Sequence, residues 1–519
     1  MRLILSSEKE RIRASYPDGD YVIALIEIIR SLDFRTYILG HSLKPKDQHL
    51  LEKFKYGWAL PFQMFFAKLT PGDVPVFASS KAMEEWADSV IQHGGSIKFC
   101  KQFLDYKTAG LMSLEAESEN KFNFYYSTTY TDEYYDKSEL SFYHSLMNKI
   151  LQDKVIVLNK RLPAIREKLK LIVKLMYGEF ISYTATDELD EFYTTFGYLY
   201  LMTTQVIDEF DEEDIFGGYL YKDYVEIGQY ICKSGIIHRD CCMALAEKTS
   251  HKVYLRNILS YSFLPERFAN SYGEYMGWTK GKVKDIINCF CLNKENASYH
   301  LNSPKPASPP YFQFGTDIVM QSIFGCLDRP IYFLNRELKR RFPKDYFNAV
   351  NNREGRFKRQ LYSLFKGDRF ITLQENINIK VNNSATDIDA VIFDKERKVL
   401  ALFQLKWQDS YYTSMKERFS RISNLIPKSV EWIDKAERWL KDSSTATILN
   451  ALKIGASWYQ VIEASTKLKN NAVLDPITTF VSELKLLQLH TRRQTEENEV
   501  TDDFNFKFAK YTVTVKLKV

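Results

Sequence analysis

The 519-residue chain lacks the marks of several large protein classes. It contains no stretch of 18 uncharged apolar residues, so no membrane span is expected. Its start, MRLILSSEKERIR, has no apolar core of the secretory kind. Cysteines are few and irregular: seven, at 100, 232, 241, 242, 289, 291 and 326. An odd set with no framework reads as free thiols in a reducing compartment, hence a cytoplasmic protein. No CxxC hairpin accompanies Cys232, His238, Cys241 and Cys242, and two adjacent thiols clamp a tetrahedral ion poorly, so buried thiols are expected there rather than zinc. The glycine loop that cradles nucleotide phosphates is missing, so any use of ATP would fall to a partner. No internal repeat stands out. A net charge of +5 is too mild at this length to identify a polyanionic partner.

What is present is ordinary globular composition, 45% hydrophobic and 26% charged, in a chain too long for a single domain. Aromatics are plentiful, 33 Tyr and 35 Phe, and predict a ring-rich core. Three regions are expected: an α+β region over 1–150, a mainly helical region over 151–330, and an α/β domain with a mixed central sheet flanked by helices over 331–519. Within the first, DYVIALIEIIRSL (20–32) reads as helix, or strand plus helix, and NKFNFYYSTTYTDEYY (120–135) as a strand or hairpin. Within the second, LPAIREKLKLIVKLMYGEF (162–180) has helical spacing. The acidic run DEFDEED (208–214) reads as a solvated loop or helix end, with a protein-docking patch as the alternative. NSPKPASPP (302–310), with four prolines in nine residues, cannot continue a helix or inner strand.

Charge becomes informative locally. Between Arg336 and Arg369 stand 11 Lys or Arg against four Asp or Glu, a surplus larger than that of the whole chain. A basic patch of this kind suits a phosphate backbone, although a solvated helix surface has the same composition. NREGRFKRQLYSLFKG (352–367) reads as an amphipathic helix with a stripe of Phe357, Leu361, Leu364 and Phe365, and Glu354 near the same inward face. RFITLQENINIKV (369–381) and TDIDAVIFD (386–394) read as strands, DKERK (394–398) as a hairpin turn, and VLALFQLKW (399–407) as a strand covered on both faces. Gln404 and Lys406 share one face of that last strand, and hairpin pairing brings Asp389 beside Gln404. Glu354, Asp389, Gln404 and Lys406 can then converge. Hard oxygens from Asp389, Gln404 and the Leu405 carbonyl suit Mg²⁺ or Mn²⁺, with Glu354 or Asp387 as a further ligand. Lys406 would stand beside the attacking water or the phosphorus oxygens. Arg353, Arg356, Lys358, Arg359, Lys416 and Arg418 are the expected nucleic-acid contacts. The bland alternatives are edge-strand protection for Gln404 and Lys406, and strand capping or arginine pairing for Asp387 and Asp389.

The order helix-Glu, strand-Asp, hairpin, then Gln-x-Lys resembles the PD-(D/E)xK nuclease superfamily, and the Gln version resembles its Mrr-like restriction endonuclease branch. The residues that carry the resemblance are Glu354, Asp389 within TDID, and Gln404 and Lys406 within FQLKW, over about residues 350–465. Gln404 stands where Glu is commoner, which makes Asp387 the natural spare ligand. The resemblance implies a restriction-endonuclease-like sheet flanked by helices and a metal-dependent nuclease acting most often on double-stranded DNA. An antiviral-defence setting follows by analogy. The N-terminal region would recognise a target, hold a protein partner or second copy, or gate the nuclease. The competing expectations are a nucleic-acid-binding module without catalysis and a structural or interaction protein. Downstream, Met415–Ile426 reads as a helix ended by Pro427, VEWIDKAERWLKD (430–442) as a second helix, ASWYQVIEAS (456–465) as a strand, and the end of FNFKFAKYTVTVKLKV (504–519) as a half-buried strand.

Overall fold

The computed structural model describes residues 2–15, 21–69, 75–108, 110, 112–119, 121–126, 145, 147–205, 209–303, 306–315, 318–381, 384–396, 399–405, 426–452, 504–507 and 512–516. Two compact units divide the chain. One comprises residues 1–347 together with 500–519, and the other residues 348–499. The division falls inside the helix Pro343–Ser363 and not at 331, so no Pro- or Gly-rich linker announces it. The proline-rich stretch lies within the first unit, and its residues 306–310 are buried. Pro309 passes so close to Gly325 that a Cβ there would lie 1.9 Å from the Pro309 carbonyl oxygen. The prolines therefore shape close-packed coil that feeds the strand Tyr311–Gln313.

The first unit is mainly helical. The helix Tyr21–Gly40 is buried at every position from Ala24 to Asp33. A helix buried on all sides must pair its charges internally. Arg30 reaches Glu27 at 3.1 Å, and Arg256 reaches Glu27 at 3.4 Å and Asp88 at 3.1 Å. Asp33 accepts the Ser322 and Ser260 hydroxyls and the N–H groups of Ile323 and Phe324. The helices Pro45–Gly57 and Lys81–Thr108 cross backbone to backbone. A Cβ at Gly57 would sit 1.9 Å from the Ile91 oxygen, and one at Gly95 2.4 Å from the Lys53 oxygen. All seven thiols are free and buried; Cys232 donates to the Cys326 carbonyl and Cys242 to that of Ile258.

The helix expected over 162–180 runs instead from Gln152 to Ile172. Lys174–Met176 and Phe180–Ser182 form a hairpin closed by the three residues Tyr177, Gly178 and Glu179, the first two at φ +52° and +75°. A four-stranded mixed sheet closes with the end of the chain. Met112–Ser118 pairs antiparallel with Lys121–Tyr126, which pairs in parallel with Thr512–Lys516, which pairs in turn with Phe504–Lys507. The last two strands, grouped by sequence with 331–519, thus find their partners in the first unit. Among the described residues no helix is long and apolar enough to cross a membrane.

The second unit is an α/β layer. Its sheet has the order Phe370–Thr372, Ala390–Asp394, Val399–Phe403, and a separate ribbon pairs Ile377–Val381 with Ser384–Ile388. All pairings described in this unit are antiparallel. Side-chain alternation assigns the two faces of the three-stranded sheet. Ala390, Ile392, Ala401, Phe403 and Leu405 join Phe357, Leu361, Tyr362 and Phe365 of the long helix and its end. Val391, Leu400 and Leu402 join the ribbon isoleucines with Trp432, Ala436 and Trp439 of the helix Ile426–Asp442. Val399–Phe403 is thus packed on both faces as its mixed parity predicts, and among the described strands Ala390–Asp394 is the middle one. Leu364, expected in the apolar stripe, is 76% exposed, because the helix ends at Ser363. Pro427 opens the helix Ile426–Asp442 at its second position, where a missing N–H costs nothing. The segments 406–425 and 456–465 lie outside the described residues.

Candidate active site at a strand fork

Two long strands expected from period-two patterns are each broken. The first ends at Thr372 and resumes at Ile377; the second ends at Ile388 and resumes at Ala390. Their first and second halves belong to different sheets, so the pair forks at 373–376 on one side and at Asp389 on the other. Alternation carries across both breaks, which is why the pattern alone reads as continuous.

Asp389 occupies the fork. Its N–H donates to the Phe403 carbonyl at 3.0 Å, one residue out of step with the ladder whose last pair is Ala390 with Phe403, so Asp389 sits in a bulge at the end of that ladder. Asp389 and Gln404 are the residues next beyond that last pair on the two strands. The carboxylate is 3% exposed, and its Oδ2 accepts the Leu405 N–H at 2.7 Å. Its Oδ1 lies 3.5 Å from the Asn376 amide nitrogen. Gln404 reaches the neighbouring acid, its Nε2 lying 3.3 Å from Asp387 Oδ1. Asp387 is fixed by register opposite Asn378 and by the Trp432 indole, which donates to its carbonyl at 2.6 Å. Asp387, Asp389, Gln404 and Leu405 are thus brought together. Leu405 offers its N–H to Asp389, while its side chain packs on the helix-covered face.

The long helix contributes differently from its expected role. Glu354 is exposed, and Arg353, Arg356 and Lys358 are buried at 3%, 7% and 8% exposure. The inward set is Lys358 with Tyr362, four residues apart and on one face. Arg353, Arg356 and Lys358, expected as nucleic-acid contacts, are buried; Arg359 is exposed. Lys358 Nζ donates to the Gln374 carbonyl at 2.6 Å and to Asn376 Oδ1 at 3.1 Å. Burial lowers its pKa, and the charge of Asp389 opposes that shift. The Tyr362 hydroxyl donates to the Leu373 carbonyl and accepts the Val391 N–H, tying the helix to both strands at the fork. Lys406, Lys416 and Arg418 lie outside the described residues.

The donor set can be tested against a metal. Among the described residues no group of three or more His, Cys, Asp or Glu gathers at ligand spacing. What the fork offers is two carboxylates and one carboxamide, whose oxygen and nitrogen exchange places by a half-turn. The 3.3 Å between Gln404 and Asp387 compares with about 3.0 Å between neighbouring ligands of octahedral Mg²⁺. Oxygen donors alone are the chemistry of a hard divalent ion such as Mg²⁺ or Mn²⁺ and not that of a thiolate and imidazole zinc site. Sequence reasoning missed Asn376, which carries no pattern signal, and the inward turn of Lys358, which its four-residue offset from Tyr362 could have revealed. Comparisons of this chain with family models, curated proteins and solved structures gave no match.

Proposed function

We propose that residues 348–499 form a metal-dependent nuclease domain of restriction-endonuclease-like architecture that hydrolyses phosphodiester bonds, with double-stranded DNA as the substrate class. The observation that carries this reading is the fork. The hairpin ends with Asp389 and Gln404 just beyond its last pair; Asp389 accepts the Leu405 N–H and Gln404 meets Asp387, so oxygen-bearing side chains of three residues gather around the end of the strand Val399–Phe403. Asp389 and Asp387 would hold Mg²⁺ or Mn²⁺ with the Gln404 carboxamide. A bound divalent ion would lower the pKa of a water and polarise the phosphorus oxygens. The chain's own groups set the stage: the Leu405 N–H orients Asp389, Trp432 and the ribbon register fix Asp387, and Lys406 is assigned the role of cation beside the phosphate. The residues outside this domain would serve target recognition, partner binding or restraint.

A second reading, a nucleic-acid-binding module without catalysis, is favoured by one observation. Glu354 is exposed on its helix, and among the described residues no three acidic, His or Cys side chains gather at ligand spacing. The two readings separate on incubation of the protein with plasmid, linear DNA and RNA in Mg²⁺, Mn²⁺ or EDTA, beside Asp389→Ala and Lys406→Ala. Metal-dependent cleavage that both substitutions abolish supports the nuclease. Retention of DNA without cleavage under every metal condition supports the module.

A further inference from the structure

We propose that Lys358 is a built-in counter-cation of the Asp389 centre, held off the carboxylate by Asn376 so that a divalent ion can enter. This rests on the nuclease reading and deepens it by naming a positioning residue that controls metal affinity. Three observations support it. Lys358 is buried at 8% exposure on the helix face that covers the fork. Its ammonium is fixed by two oxygens, the Gln374 carbonyl at 2.6 Å and Asn376 Oδ1 at 3.1 Å. The same Asn376 turns its Nδ2 to Asp389 Oδ1 at 3.5 Å, so one carboxamide stands between the cation and the anion.

A buried ammonium is costly unless opposed, and the Asp389 charge opposes this one. The fork also frees the Gln374 carbonyl from strand pairing, and Lys358 fills that gap. A purely structural lysine would do no more than this. A counter-cation would in addition repel an incoming metal, and its removal would leave a more negative centre. The two roles therefore predict opposite signs for metal binding. Lys358→Gln should bind a divalent ion more tightly if the charge matters at the centre, and more weakly if the lysine only props the loop. Asn376→Ala removes the spacer and lets the ammonium close on Asp389, which should weaken metal binding. Asn376 is itself exposed, so the substitution leaves the core intact.

The test is titration of the full chain with Mn²⁺, followed by calorimetry and by the electron paramagnetic resonance of free Mn²⁺. Asp389→Ala defines the background from other sites. The expected results are affinity about tenfold tighter in Lys358→Gln, several-fold weaker in Asn376→Ala, and near wild type in Lys358→Arg, about what gain or loss of one unit charge near a divalent ion produces. Plasmid cleavage should slow in Lys358→Gln despite the tighter binding. Equal or weaker Mn²⁺ affinity in Lys358→Gln overturns the proposal. Should that variant fail to fold, unchanged or tighter affinity in Asn376→Ala overturns it equally. Absence of both Mn²⁺ binding and cleavage in the wild-type chain would instead defeat the nuclease reading, and this inference with it.

Discussion

Replacing Asp389 perturbs the fork and the proposed chemistry at once, and the two effects can be read separately. The side chain is 3% exposed, and its Oδ2 is the acceptor for the Leu405 N–H at 2.7 Å. Asp389→Ala removes that acceptor from a buried amide. A buried donor left unsatisfied costs about 1–3 kcal/mol, towards the upper end where the lost acceptor was charged. At about 2 kcal/mol, the local opening that exposes Leu405 becomes roughly 30-fold more frequent. Asp389→Asn keeps an oxygen at the same place and loses only the charge, so about 1 kcal/mol and roughly fivefold are expected. Hydrogen–deuterium exchange read on peptides covering 399–405 measures this directly, with peptides from Tyr21–Gly40 as an internal reference. Cleavage should be lost in both variants. Equal exchange at Leu405 in wild type, Asp389→Asn and Asp389→Ala would refute the claim that this carboxylate holds the strand end, and with it the account of how the strand that carries Gln404 is kept beside Asp389.

Three further outcomes are expected in the first unit. Burial holds the pKa of His238 down to about 4, with Nδ1 facing the Tyr183 hydroxyl and Nε2 the Ile258 carbonyl; the unfolded chain takes up this proton first, so stability falls as pH drops from 6.5 towards 4, by about 3 kcal/mol over that window, and urea melts of His238→Gln should lack that component. Tyr177→Gly should stabilise by about 1 kcal/mol, since a φ of +52° disfavours a side chain and the Tyr177 ring is 87% exposed; a melting temperature that does not rise contradicts this. Gly57→Val should destabilise by more than about 2 kcal/mol in a denaturant melt, because backbone atoms of Ile91 already occupy the site of its Cβ.

Much of the second unit was legible because its signals are local. The turn DKERK and the flanking apolar runs fix the hairpin Ala390–Asp394 with Val399–Phe403, and that register leaves Asp389 and Gln404 just beyond its last pair. The breaks at 373–376 and 389 were not legible. The apolar alternation of the sequence runs through Ile388 and Ala390 alike, and nothing in the residue types says that they belong to different sheets and pack in different clusters. An offset of three residues from Phe357 places Glu354 inward, yet it is exposed, and Leu364 lies past the helix end. A stripe drawn through Tyr362 turns Lys358 inward. The membership of 504–516 could not be read either, since pairing between remote strands leaves no trace in composition.

That remote pairing has a consequence for how the protein is made. Thr512 meets Lys121 across roughly 390 residues of chain, and the whole 348–499 unit is spelled out between them. During synthesis the strand Lys121–Tyr126 emerges long before its parallel neighbour exists, and it waits with one edge open while the second unit is translated. The first unit is thus the earliest to begin and the last to be completed. A chain stopped after residue 499 would carry every residue of the fork yet leave that waiting edge exposed as a site for aggregation.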